Sequence, residues 1–119
     1  MSNSKKTSSS IDVATARKFL SAVSYAQGFH FFMTDGHFTG ETAVSLIVFS
    51  KDLAGIDIQS IRYHFDRGDF QKWIRNTIGD EELAIRIDNL QKNFSDVDLQ
   101  KQLIEILQKR ISELQFLTK

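Results

Sequence analysis

The chain has 119 residues, with 15 lysines and arginines against 15 aspartates and glutamates, so its formal net charge is zero. A chain of this length predicts one domain, and the balanced charge excludes a whole-chain electrostatic attraction to nucleic acid or to an anionic membrane. Cysteine is absent, which excludes disulfide bonds, a thiolate nucleophile and a cysteine-ligated metal site.

Residues 1–10 are mostly serine, lysine, asparagine and threonine, with almost nothing to bury, so they are predicted to form a flexible tail. Residues 11–119 are predicted to form a single helical domain. The sequence contains no secretory signal pattern and no run of about 20 apolar residues, so a cytoplasmic location without a membrane segment is expected.

The first predicted helix begins after Asp12 and continues to about Tyr25, because apolar residues there recur at three- and four-residue steps. Residues 28–40 are rich in phenylalanine and lack a clear period, and the Thr-Asp-Gly sequence at 34–36 is typical of a turn. This segment is interpreted either as a short strand pair or as a tucked loop. A lone hairpin is marginally stable, so its phenylalanines are expected to pack on helices.

Four helices are predicted in the middle of the chain, each begun by a side chain that accepts the free N–H groups of a first turn. The predicted N-caps are Thr39, Asp57, Asp69 and Asp80. The helix that follows the first of these caps is expected to reach about Leu53. Gly68 and Gly79 are expected to close the helices before them in the left-handed conformation.

The last helix is predicted at about residues 95–116, and Ser95 with Asp98 resembles a capping box at its start. Apolar residues on this helix follow a heptad pattern with β-branched residues at a and leucine at d. The members of this seam are Val97, Ile104, Leu107, Ile111 and Leu114. A second apolar set lies outside the seam, so more than one face is apolar. We therefore expect a homodimer formed through the seam, and another protein partner is possible.

Together these elements predict an all-α fold, a compact bundle of about five or six helices with one irregular Phe-rich segment. Proline is absent, so the breaks between helices are made by glycine, aspartate, asparagine and serine. No internal repeat of solenoid length is present.

Polar residues suited to binding a small ligand or an anion fall in two places. His37 and Thr39 lie in a glycine-bounded loop before a predicted helix N-terminus, where free N–H groups attract anions. His64, Arg67 and Asp69 lie together across a predicted turn. They are interpreted either as a ligand-binding site, which in one version is also catalytic, or as a polar cluster that connects two helices.

Other classes of site have less support. The three histidines match no metal-ligand spacing, so no metal or cofactor is expected, and without a nucleophile elbow or similar signature no catalytic residue is assigned. A helix–turn–helix at residues 60–78 would present Lys72, Arg75 and Asn76 to DNA. With four basic residues against two acidic ones, this segment is less positive than most DNA-binding surfaces, and nucleic acid is not the expected partner.

Residues 60–74 contain the motif Ser-Ile-x-Tyr-His-Phe-x-Arg-Gly-Asp-Phe-x-x-Trp-Ile. Together with the Phe-Thr-Gly sequence at 38–40 and the Gly-Asp pair at 79–80, this motif resembles a small prokaryotic domain family of unknown function. The resemblance covers about residues 29–90. It implies a compact helical domain and assigns no activity, cofactor or site residue.

The sequence therefore favours a non-enzymatic binding or regulatory module that self-associates through its C-terminal helix. The alternative hypothesis is a small-ligand-binding or anion-binding domain, with a catalytic version of it, centred on His64, Arg67 and Asp69. Nucleic-acid binding is the third hypothesis.

Overall fold

The computed structural model describes residues 11–119, so the predicted tail at residues 1–10 lies outside the described part of the chain. The described chain is mostly helical, with six α-helices and one small antiparallel sheet of two strands. The all-α prediction is confirmed for the dominance of helices and corrected for the Phe-rich segment, which forms a β-hairpin. Within residues 11–119, no helix is long and apolar enough to cross a membrane.

The first helix, α1, spans Val13–Leu20. Asp12 begins it as predicted, because its Oδ1 accepts the N–H of Thr15 at 2.8 Å. The helix ends before the predicted boundary near residue 25. After the helix, Val23 donates its N–H to the carbonyl of Val44 at 2.8 Å, a bond to a distant part of the chain and not to the preceding helical turn.

The Phe-rich segment forms two antiparallel strands, β1 at Phe29–Phe32 and β2 at Phe38–Ala43. Their register is irregular between His30 and Phe32. The turn that joins them contains Gly36, whose φ of 84° lies in the left-handed region that glycine adopts without strain. Of the two interpretations of this segment, the strand pair is the one found.

The prediction that Thr39 caps a helix is wrong. Thr39 lies in β2, and its Oγ1 donates to the carbonyl of Phe31 at 2.8 Å across the hairpin. The next helix, α2, spans Leu46–Gly55 and begins at Ser45, whose Oγ accepts the N–H of Val48 at 3.2 Å. The local sequence suits a cap at either position, but pairing with β1 extends the backbone around the threonine and delays the helix.

Two glycines separate the next helices, as predicted. These helices are α3 at Ile58–Arg67, α4 at Asp69–Trp73 and α5 at Glu81–Asp88. Gly68 and Gly79 have φ of 74° and 93°, so both close a helix in the left-handed conformation. A π-helical turn at Ile74–Ile78 joins α4 to the second glycine.

Two of the remaining predicted N-caps are confirmed and one is wrong. Asp57 and Asp80 each accept a first-turn N–H, of α3 and α5 respectively. Asp69 is the first residue of α4, and the start of that helix has no side-chain cap. Its carboxylate instead points back to α3, where it accepts hydrogen bonds from His64 and Arg67.

The last helix, α6, spans Asp96–Leu117 and packs against α1, α2, α3 and α5. Ser95 begins it as predicted, since its Oγ accepts the N–H of Asp98 at 3.2 Å. Its buried apolar residues belong to the core of the chain itself. They are Leu99, Leu103, Leu107, Ile111 and Leu114.

The predicted interface seam on α6 is therefore corrected. Leu107, Ile111 and Leu114 are covered by helices of the same chain and have no free surface for a partner. Val97 is 66% exposed and Ile104 is half-buried, so these two members alone remain at the surface. Two apolar faces on one helix are explained by its central position, which places neighbouring helices on more than one side.

Aromatic side chains fill the core between the hairpin and the helices. Trp73 is 8% exposed, and its ring centroid lies 5.3 Å from that of Phe49 and 5.8 Å from that of Phe29. Its indole N–H donates to the carbonyl of Gln27 at 2.8 Å. Trp73 is thus a core residue whose polar group is satisfied, as buried indoles usually are.

A buried ion pair between Arg110 and Asp80 joins α6 to the start of α5. Both side chains are 1% exposed, and Nε and Nη2 of the arginine donate to the two carboxylate oxygens at 2.8 and 2.9 Å. Arg110 Nη1 also donates to Glu113 at 3.1 Å, and Asp80 Oδ1 also accepts the N–H of Leu83. The two charges are therefore paired and hydrogen-bonded within the protein, the condition under which buried charges are tolerated.

Replacing Arg110 by methionine should lower the free energy of unfolding by about 3–5 kcal/mol, because it leaves the carboxylate of Asp80 buried without its counter-charge. The matched control is Arg75→Met, which breaks ion pairs with Glu81 and Asp88 at the surface and should cost no more than about 1 kcal/mol. Urea denaturation followed by circular dichroism measures both. Equal losses for the two variants would contradict the structural importance of the buried pair.

Candidate functional site

An open cavity of about 460 Å³ lies between the hairpin and the start of α4. Helix α3 contributes Tyr63, His64 and Arg67 to its wall, and Asp69 follows from the first position of α4. The residues that the hairpin and the chain just before it contribute are Gly28, Phe29, His30, Phe32 and Gly36. Of the five predicted ligand-binding residues, three therefore lie around one cavity. They are His64, Arg67 and Asp69.

The other two predicted ligand-binding residues are elsewhere. His37 is exposed at the hairpin turn and lines a separate depression of about 370 Å³. Thr39 uses its hydroxyl in the bond to Phe31. The predicted anion site at this loop depended on a helix N-terminus after Thr39, and β2 occupies that place, so this part of the site prediction is corrected.

His64 occupies the centre of the cluster, and both of its ring nitrogens are engaged. Nε2 accepts the backbone N–H of Phe32 at 2.8 Å, and Nδ1 lies 2.8 Å from Oδ2 of Asp69. A backbone N–H only donates, so Nε2 carries no proton and Nδ1–H must donate to the carboxylate. This arrangement fixes the imidazole as the neutral Nδ1–H tautomer.

The environment of His64 also disfavours its protonation. The residue is 4% exposed. Burial lowers the pKa of His64 below its ordinary 6.5 and outweighs the opposing effect of Asp69. Adding a proton at Nε2 would in addition remove the acceptor of the Phe32 N–H, so the charged ring does not fit this site.

Asp69 divides its carboxylate between the cluster and the cavity. Oδ2 accepts from Nδ1 of His64 at 2.8 Å and from Nε of Arg67 at 2.9 Å. Burial raises the pKa of Asp69, but the two hydrogen bonds outweigh it and hold the pKa below the usual 3.8. Oδ1 has no hydrogen-bond partner among residues 11–119, so this residue of the cavity wall keeps one acceptor oxygen without a protein donor.

Arg67 brings a positive charge to the same wall. Its guanidinium lies over the ring of Tyr63, with the central carbon 5.0 Å from the ring centroid, and its Nε is held by Asp69. The side chain is 58% exposed, and its two terminal amino groups have no hydrogen-bond partner in the described part of the chain. Stacking and the Nε bond orient the guanidinium and leave its outer edge free.

Apart from Gly28 and Gly36, the remaining wall residues carry aromatic rings. His30 is held at Nδ1 by the hydroxyl of Thr42 at 2.8 Å, and Tyr25 packs edge-on against its ring at 5.2 Å. Phe29 and Tyr63 pack against the two sides of His64, with ring centroids 4.8 and 5.0 Å away. The result is a rigid wall of ring faces and edges beside one carboxylate oxygen and one guanidinium edge.

Sequence reasoning missed His30, Phe32 and Tyr63 as wall residues. The signal was present in the alternation along 29–32, where buried and half-buried side chains follow one another with the two-residue period of a strand. Four residues are too few to separate this pattern from a loop. Tyr63 precedes His64 directly, and nothing in its spacing along the sequence distinguishes a wall residue from a core residue.

The other candidate residues are the histidines, considered for a metal site, and the basic side chains of residues 60–78, considered for nucleic-acid binding. Within residues 11–119, no three or more histidine and acidic side chains are grouped so that they could hold a metal ion. Arg62 donates to Asp96 at 2.9 Å, and Arg75 donates to Glu81 and Asp88 at 2.9 and 3.0 Å. These two arginines are committed to ion pairs, which lowers the positive charge available to phosphates.

Comparison of the chain with protein-family models, with curated proteins and with solved structures found no match. The geometry of the cavity therefore carries the functional argument.

Stability should depend on pH through His64. The pKa of His64 in the folded chain lies below 6.5, its ordinary value. At a pH between the folded and the ordinary pKa, the unfolded chain therefore binds more protons than the folded chain does. The free energy of unfolding should fall as the pH is lowered below about 6.5. The pKa of Asp69 in the folded chain lies below 3.8, so the free energy of unfolding should decrease further in strong acid, as the pH falls from about 3.8 through the folded-state pKa. Thermal denaturation at about pH 8, 6 and 5 measures the first loss.

The matched pair for this measurement is His64→Gln and His37→Gln. Glutamine at position 64 supplies an amide oxygen for the Phe32 N–H without a titrating ring, so the loss between pH 8 and 5 should shrink while absolute stability decreases. The exposed His37 has no such role, and its variant should keep the wild-type pH dependence. An unchanged dependence in His64→Gln would contradict the assigned tautomer and burial.

Proposed function

We propose that this chain is a non-enzymatic binding domain whose cavity, between the hairpin and the start of α4, holds a small ligand with a planar ring. One observation carries the proposal. An open cavity of about 460 Å³ combines aromatic wall residues with a carboxylate oxygen of Asp69 and a guanidinium edge of Arg67 that have no hydrogen-bond partner within residues 11–119. Ligand sites in proteins have this composition, an apolar and aromatic lining with a few convergent polar groups, and this range of volume.

A purely structural role explains only part of the cluster. It accounts for His64, whose two nitrogens link β1 to Asp69, and for Oδ2 of that aspartate. It does not account for the free groups of Asp69 and Arg67 at the cavity wall. The buried pair of Arg110 and Asp80 differs in this respect, because both of its members are hydrogen-bonded within the protein.

Binding rather than catalysis is supported by the state of His64. A general base needs a free nitrogen within reach of a substrate proton. Nε2 of His64 accepts a hydrogen bond from a backbone N–H, and the N–H at Nδ1 donates a hydrogen bond to Asp69. The ring is therefore a positioning group, and the proposed chemistry is recognition of a ligand by stacking and hydrogen bonds.

Indole, a neutral planar ring, is the first probe of this proposal. Added to isotopically labelled protein, it should shift the backbone amide signals of β1 and of residues 63–69. Tyr63→Ala should weaken binding about 2- to 10-fold, because aromatic pairing contributes about 0.5–1.5 kcal/mol. Phe116→Ala is the control, since this ring is 69% exposed on α6 and should bind nothing.

Two results would contradict the proposed function. One is the absence of amide shifts around the cavity with indole, benzoate and the other planar probes tried. The other is an equal effect of the Tyr63 and Phe116 variants, which would indicate non-specific contact with exposed rings.

We further propose self-association through the N-terminal half of α6 as a second function. The supporting surface is a groove of about 410 Å³ along α6 that includes Val97 and Ile104 and reaches Ala54 of α2. Val97 is 66% exposed in this groove, so a partner that covers the groove would remove this apolar side chain from water. A two-fold pairing of this groove would cover it in both copies.

Light scattering should find a dimer of the wild-type chain, and Val97→Asp should shift it to the monomer without loss of helicity, because a charge in the paired groove is desolvated. Ile85→Asp, at another exposed apolar residue on α5, is the control and should leave the dimer intact. A wild type that is monomeric throughout the micromolar range would overturn this second proposal and leave the ligand cavity unaffected.

A further inference from the structure

We infer that the cavity recognises an α-amino acid with an aromatic side chain, held by its ammonium and carboxylate groups on Asp69 and Arg67. The inference rests on the proposed function and names the class of its ligand. It starts from the arrangement of the two free groups. Oδ1 of Asp69 and the terminal amino groups of Arg67 belong to one ion pair, joined by the 2.9 Å bond from Nε to Oδ2.

The charges of this pair select for a ligand that carries both signs. The carboxylate oxygen of Asp69 and the guanidinium edge of Arg67 are neighbours. They attract a ligand whose ammonium and carboxylate groups are also neighbours. An α-amino acid carries these two groups on a single carbon. A ligand with only a negative group meets the repulsion of Asp69, and one with only a positive group meets that of Arg67, so the pair disfavours both.

The remaining space suits a ring. Phe32, His30 and Tyr63 present aromatic surface around the cavity, and its volume of about 460 Å³ exceeds what the two polar groups need. A planar side chain there would find partners for offset or edge-to-face packing, which aliphatic side chains do not use. The aromatic wall therefore discriminates among amino acids by their side chains, while the ion pair binds the ammonium and carboxylate groups that all of them have.

Preorganisation strengthens this recognition. Nδ1–H of His64 holds the carboxylate of Asp69 in place, and the Tyr63 ring supports the guanidinium of Arg67 from below at 5.0 Å. Neither charged group has to be ordered when the ligand arrives, so little conformational entropy is lost on binding. The half-buried position of Asp69, 20% exposed, also limits competition from water.

Nucleotides are the main alternative ligands with a planar ring. Their phosphate would have to approach Arg67 with the ionised Asp69 at the other side of the same ion pair. The site holds one guanidinium and no other free cation among its wall residues, and the first residue of α4 is the ionised Asp69, whose negative charge opposes a phosphate at the start of that helix. A zwitterion satisfies both members of the pair, and a phosphate satisfies one.

Calorimetric titration of the full chain with L-tryptophan, tryptamine, 3-indolepropionate, indole and L-alanine tests the inference. L-Tryptophan should bind about 10-fold or more tightly than each of the three indoles that lack one or both charges, since a charge-assisted hydrogen bond is lost in each. L-Alanine, which lacks the ring, should bind at least as weakly as those three.

The key variant is Arg67→Gln, because this side chain is exposed at the end of α3 and its loss leaves the bond between His64 and Asp69 in place. It should reduce L-tryptophan affinity about 10-fold and leave tryptamine affinity equal or higher. Arg75→Gln, which also removes a surface arginine from an ion pair, is the control and should leave L-tryptophan affinity unchanged.

The outcomes separate the two proposals. If indole and L-tryptophan bind equally, or if Arg67→Gln leaves L-tryptophan affinity unchanged, the amino-acid inference is overturned and the aromatic binding site stands. If adenosine monophosphate binds more tightly than L-tryptophan, the ligand class assigned here is wrong. If no planar probe binds at the cavity, both proposals fall together.

Discussion

The position of the hairpin depends on the backbone N–H and carbonyl of one residue, Phe32, and on two side chains of α3. A two-stranded sheet is marginal by itself because each strand has an unpaired edge. At Phe32 both backbone polar groups are satisfied by α3, since the N–H donates to Nε2 of His64 at 2.8 Å and the carbonyl accepts from Oγ of Ser60 at 2.7 Å. Helix α3 thus takes the place of a third strand, and the aromatic wall of the cavity exists because the hairpin is held there.

The same imidazole connects the fold to the candidate site. His64 receives from the hairpin at one nitrogen and donates to Asp69 at the other, so the orientation of the carboxylate follows from the docking of β1. The two hypotheses for this cluster, structural support and ligand site, therefore describe different atoms of the same residues. Oδ2 of Asp69 supports the fold, whereas Oδ1 and the edge of Arg67 are the groups that the proposed ligand would contact. A site built in this way is lost if the hairpin moves, which couples ligand binding to local stability.

The sequence predicted those parts of the structure that local chemistry decides. Helix starts at Asp12, Asp57, Asp80 and Ser95 and the two left-handed glycines follow from backbone groups within one turn, so a single chain shows them. The partners of α6 were not predictable, because periodicity reveals apolar faces but not what covers them. Arg110 shows the same limit. It shares the three- and four-residue spacing of Leu103, Leu107 and Leu114, yet its buried role requires Asp80, thirty positions away in sequence.

The two Gly-Asp pairs show why a local rule failed where the candidate site lies. After Gly79, Asp80 is the N-cap of α5 and its carboxylate accepts the N–H of Leu83 at 3.2 Å. After Gly68, Asp69 is already the first residue of α4, its carboxylate turns to His64 and Arg67, and the helix starts without a side-chain cap. Loss of such a cap costs about 0.5–2 kcal/mol, and natural chains tolerate a departure of this kind mostly where function requires it. The carboxylate of Asp69 is thus used in the bonds that join α3 to α4, and it is not available to cap the helix that it begins.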